Sequence, residues 1–91
     1  MTRKPGLALN EHISLGLELA QMRDRLTVLT ATIGNSYPKT VKAAHHARRA
    51  AQQLDLLRSQ LEDRCAVEHP DNFETYIYYP TTEQRNERHT Q

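Results

Sequence analysis

Cys65 and His69 stand four residues apart, which puts them on one side of a helix, and thiolate and imidazole are ordinary zinc ligands. Glu62, Asp63 and Glu68 lie beside them, and His12 comes to the same end if the chain doubles back. Several features weigh against a metal centre. There is one Cys only, His69 directly precedes Pro70, and a hairpin turning near Ser36 sets His12 nearer Gln60 than Cys65. A free Cys on a helix flank is more often a small buried hydrophobe. No metal and no cofactor are expected.

Catalysis finds little support. A Cys65 nucleophile would need a base and an oxyanion site in a shaped cleft, and only His12 or His69 offers the base. No glycine-rich phosphate loop and no HExxH pattern occurs. The His45-His46 doublet points its rings about 100° apart on a helix. The expectation is a protein that is not an enzyme, with no catalytic residue.

Two other groups can bind. Lys39, Lys42, His45, His46, Arg48 and Arg49 make a basic stretch. Cations near a helix start are mildly unfavourable and call for an anionic partner, either an acidic protein surface or nucleic-acid phosphates. Phe73, Tyr76, Tyr78 and Tyr79 crowd into seven positions, and tyrosine's apolar body and polar tip suit interfaces. The partner-binding candidates are Lys42, His46, Arg49, Phe73, Tyr76, Tyr78 and Tyr79. For nucleic acid they are Lys39, Lys42, Arg48 and Arg49.

Composition bounds the rest. The chain has 91 residues, 37% hydrophobic and 25% charged, with three Gly and no Trp. That excludes a collagen-like or disulfide-stapled scaffold. No apolar run is long enough for a membrane span, and residues 1–9 lack a signal core, so a cytoplasmic setting is expected. The net charge of +1 conceals a sequence dipole: residues 35–54 carry four cations and no acid, whereas residues 55–74 carry two cations against six acids. Such a chain can steer a charged partner or pair with a second copy of itself.

Two helices must position these groups. Leu15, Leu19, Met22, Leu26, Leu29 and Ile33 step by four and three, the stripe of an amphipathic helix. Asn10 is a candidate N-cap, and Gly34 a candidate left-handed stop. Helix 1 is expected over 10–33. Pro38 suits a first helical position, and Ala43, Ala47, Ala50, Leu54, Leu57 and Leu61 repeat the same step, so helix 2 is expected over 38–68. A short connection makes the pair antiparallel, with facing residue numbers adding to about 72. That sets Leu15 near Leu57, Leu26 near Ala47 and Leu29 near Ala43. A flexible arm is expected over 1–9, an extended aromatic segment over 70–80 and a disordered polar tail over 81–91.

Two helices alone cannot enclose a core, so either the C-terminal segment folds back over the hairpin or, the favoured reading, a second copy completes a four-helix bundle. The expected fold is all-α: an antiparallel two-helix hairpin that dimerises into a four-helix bundle, with an extended aromatic C-terminal segment. In length and layout it is similar to the WXG-type secreted hairpins, but it carries Gly34-Asn35-Ser36 where they have Trp, which sets them aside. It resembles the small helical accessory proteins of phages and other mobile elements. The residues themselves lead to the expected function: a non-catalytic protein-interaction module, an adaptor or inhibitor that docks on a protein partner through the outer face of helix 2 and residues 73–80 and forms a homo-oligomer. The alternative is a small nucleic-acid-associated regulator. No membrane partner is expected.

Overall fold

The apolar stripe of residues 15–33 builds one long helix, α1, over Leu9–Ser36. The computed structural model describes residues 4–81, and the expected polar tail lies, apart from Thr81, outside them. The N-cap is Ala8 rather than Asn10. Its amide is satisfied by the Glu11 carboxylate at 2.9 Å, a side chain from the first turn reaching back to the cap.

Gly34 does not stop α1. Its backbone is not left-handed, and the helix runs through it. Pro38 sets the end, because the residue before a proline is forced towards extended geometry. Tyr37 has φ −134° and ψ 151°. Its amide still donates to the Ile33 carbonyl, and the Ser36 hydroxyl to that of Thr32.

Pro38 also fails to open the second helix. Pro38 to Val41 close a turn, with the Val41 amide donating to the Pro38 carbonyl, and α2 runs over Ala43–Glu68. The connection is therefore centred near residues 39–40 rather than 36. The register moves with it: Arg23 meets Asp55 and His12 meets Glu68, so facing numbers add to about 79. Leu15, Leu26 and Leu29 consequently face residues later in α2 than Leu57, Ala47 and Ala43.

The stripe that α2 buries is also rotated from the expected one. Ala51, Leu54, Arg58 and Cys65 are buried, while Ala43, Ala50 and Leu57 are exposed. Arg58 occupies the seam where the leucine repeat placed Leu57. The cause lies in the C-terminal segment, whose Tyr78 carbonyl accepts two hydrogen bonds from the Arg58 guanidinium, at 3.1 and 2.8 Å. A buried guanidinium is tolerated because it is hydrogen-bonded and lies near Asp55 at 3.6 Å.

Residues 70–80 are not extended throughout. A single 3-10 turn, Thr75–Ile77, folds the segment onto the hairpin. The alternation expected of a strand is lost, so that the neighbours Ile77 and Tyr78 are both buried. No strand occurs among the described residues. The core is small: Leu19, Leu54, Cys65, Ile77 and Tyr78, with Leu9, Ile13, Leu15, Leu26, Leu61 and Phe73 packed against it. It occupies the open end of the hairpin, away from the connection.

The two faces of the helix pair differ. On an ideal helix Gly16 and Ala20 of α1, and Ala51, Asp55 and Arg58 of α2, turn to one side, and that side receives the C-terminal segment and the Arg23–Asp55 ion pair. Met22, Leu26, Leu29 and Ile33 with Ala50, Leu57 and Leu61 turn to the other. There Met22 is 48% and Leu57 45% exposed. The radius of gyration is 16.0 Å, against about 12 Å for a compact domain of this length.

Candidate functional site: a polar clasp at the open end

Four chain segments meet at the open end: the residues before α1, the first turns of α1, the end of α2 and the C-terminal segment. His12 is at the centre, 1% exposed. Its Nδ1 lies 2.6 Å from the Tyr78 hydroxyl and its Nε2 2.9 Å from Glu68 Oε1. A neutral imidazole carries one proton. With that proton on Nε2, the ring donates to the carboxylate and accepts from the hydroxyl, and every polar atom is satisfied. His69 stands edge-on to His12, ring centroids 5.6 Å apart, and its Nε2–H donates to the Leu7 carbonyl at 2.8 Å. The Leu7 amide in turn serves the Glu68 carboxylate. Leu7 is thus held at both backbone groups.

Two glycines make the approach possible. Gly6 has φ +78°, a conformation side chains disfavour, and a Cβ there would stand 2.7 Å from the Glu68 carboxyl carbon. A Cβ on Gly16 would overlap the Ile77 carbonyl oxygen and lie 2.8 Å from its carbon and 3.2 Å from Tyr78 Cα. Gly16 is the notch into which the C-terminal backbone settles. A glycine inside a helix costs about 1 kcal/mol against Ala and usually marks a close approach. That was its only signal in the sequence.

The clasp shifts its titratable groups in opposite directions. Glu68 is held below the usual carboxylate value, first by the His12 hydrogen bond and then by the Leu7 amide, with burial opposing. Tyr78 is pushed up to about 12, first by burial and then by the charges of Cys65 and Glu68. The Cys65 thiol is raised by burial first and by the carboxylates of Glu68 and Glu62 next. One Glu62 oxygen is buried with no hydrogen-bond partner among the described residues. A thiol and a phenol that hold their protons are poor nucleophiles. The Tyr78–His12–Glu68 hydrogen bonds join the C-terminal segment, α1 and the end of α2.

The expected binding residues fall in separate places. Tyr78 is wholly buried and leaves the docking set. Phe73 is half-buried against the core. Tyr76 and Tyr79 remain exposed, with Arg58 stacked 4.4 Å from the Tyr79 ring centroid. Lys42, His46 and Arg49 share the outer side of α2. Lys42 lies about 24 Å along the axis from Arg58 at ~1.5 Å per residue, so they and the tyrosines are not one compact site. Of the nucleic-acid set, Lys39, Lys42 and Arg48 line a cleft of about 530 Å³ at the connection, with Tyr37, Val41 and His45. Arg49 projects about 100° from Arg48.

The Cys65–His69 idea finds a different set: His12, Glu68 and His69 gather at the open end, and Cys65 lies beneath them. His12 meets Glu68 rather than Gln60 because the connection lies later in the chain than a turn near Ser36. No protein-family model, curated protein or solved structure matches this chain. No helix among the described residues is long and apolar enough to cross a membrane.

Proposed function

We propose that this chain is a non-catalytic protein-interaction module, an adaptor or inhibitor of the kind phages and mobile elements carry, which works by covering its apolar helix face with another protein surface. One observation carries the reading. Among the described residues the C-terminal segment closes one side of the helix pair, leaving Met22 and Leu57 about half exposed on the other, beside half-buried Leu26, Leu29, Ile33 and Leu61. Two long helices with an uncovered seam are the halves from which four-helix bundles are made, so a second copy is the first occupant we assign. Tyr76 and Tyr79 then remain outside for a partner.

Charge pairing contributes less to such a dimer than the sequence dipole promised, because Asp55 and Glu68 of the acidic half are engaged within the chain. Burial of the apolar seam is the main driving force. Sedimentation equilibrium tests it. The wild type should be dimeric at micromolar concentration, and M22E/L57E monomeric with its helical signal retained. A wild type that stays monomeric, with partner capture indifferent to M22E/L57E, overturns the reading.

The cleft at the connection supports the second reading, an anionic partner such as nucleic acid. Its three cations make a small phosphate footprint. Retardation of DNA or RNA at low salt that R48E/R49E abolishes would favour it.

A further inference from the structure

We propose that His12, Glu68 and His69 form a binding site for one divalent ion of the zinc class, which would lock the two ends of the described chain onto the hairpin. The proposal is independent of the docking reading. The three residues each offer a ligand atom, and these atoms lie within 4.8 Å of one another. Two of them, His12 Nε2 and Glu68 Oε1, are 2.9 Å apart. A tetrahedral ion with bonds of about 2.0–2.2 Å holds its ligand atoms about 3.4 Å apart. A small inward turn of the His69 ring closes the set. Two imidazoles and a carboxylate are a donor set that zinc accepts, with a fourth position left to solvent.

The convergence has a structural cause. Consecutive residues diverge by about 100° on a continuing helix, yet Glu68 and His69 both reach His12. They can because α2 ends at Glu68, and His69, with φ −134° and ψ 60°, leaves helical geometry and sets its ring edge-on to that of His12.

The outer contacts are those of a held ligand set. The Tyr78 hydroxyl is on His12 Nδ1 and the Leu7 carbonyl on His69 Nε2–H. The second contact leaves the His69 Nδ1 lone pair for the ion. Binding at His12 Nε2 requires its proton to move to Nδ1, and Tyr78 then accepts where it had donated.

The test uses the full chain without an affinity tag, with Co²⁺ as a visible probe and Zn²⁺ as competitor. One Co²⁺ should bind per chain, with tetrahedral-type absorption that Zn²⁺ abolishes. E68Q and H69Q should each weaken binding at least about tenfold, and H45Q/H46Q/H89Q should leave it unchanged. Zn²⁺ should raise the Tm of the wild type but not of H69Q. Because either ligand variant can loosen the clasp, wild-type NMR supplies a second readout. Zn²⁺ should shift the ring signals of His12 and His69 before those of His45 and His46. No stoichiometric ion in the wild type, binding that follows H45Q/H46Q/H89Q, or NMR shifts at His45 and His46 first overturns the site.

Discussion

Replacing Gly16 by Ala should undock the C-terminal segment, although Ala is the better helix former. The new Cβ overlaps a backbone carbonyl rather than the end of a flexible side chain, so residues 76–78 must retreat by about 1 Å or more to restore van der Waals distance. Tyr78 and Ile77, 0% and 4% exposed, then lose burial worth about 3–6 kcal/mol together. The Tyr78–His12 bond adds about 1 kcal/mol and the Arg58 bonds about 2. Releasing the five residues 75–79 returns about 5 kcal/mol of conformational entropy. Alanine returns about 1 more through helix propensity. The expected net is a destabilisation of about 1.5 kcal/mol, a fall in Tm of roughly 6–12 °C for a domain of this size.

Thermal unfolding followed by far-UV circular dichroism measures it, and the rate of Cys65 reaction with a disulfide reagent provides a local readout. The thiol is wholly buried with a raised pKa. It should react slowly in the wild type and much faster in G16A. The decisive control is Y78A, in which the segment is already loosened. There G16A should lose most of its cost or become stabilising. If G16A raises the Tm of the otherwise wild-type chain, the notch is not the reason for the glycine and the docking account fails.

The clasp should also give stability two pH limits. Glu68 titrates below its ordinary value of 4.5 when folded, so its contribution is complete above that value and lost as pH falls through the lower folded pKa. E68Q should flatten the acid limb, and an unchanged limb would count against the His12–Glu68 pair. Tyr78 moves from 10.0 to about 12, so its contribution is full below pH 10 and lost between 10 and 12, seen as tyrosinate absorbance of the wild type minus Y78F. Gly34 is helical, with open space where a Cβ would stand. G34A should stabilise the chain by about 0.5–1 kcal/mol, whereas a loss of stability in chemical denaturation would restore the left-handed stop.

Much of the fold was legible in local chemistry. The four–three step from Leu15 to Ile33 specifies an amphipathic helix wherever it occurs, and the second step from Ala47 to Leu61 specifies another. Their short connection makes them antiparallel. The clasp was only half legible: Cys65, His69, His12 and Glu68 were visible as chemistry, but their meeting depended on register. That register turned on whether Pro38 opened α2 or closed a turn before it, and both are compatible with the ring's fixed φ. A shift of the connection by three to four residues moves His12 from Gln60 to Glu68.

Tertiary structure decided the rotation of α2 and the fate of the aromatic segment. Periodicity alone ranks Leu57 above Arg58 for the seam. The Tyr78 carbonyl reverses that order because it is a buried acceptor needing a donor, and Arg58 supplies two. The same long-range contact breaks the strand-like alternation of residues 73–79 and turns Gly16 from a helix defect into a docking notch. These choices depend on partners 20 or more residues away, so helix or strand propensity, which reports only neighbours, carries no record of them.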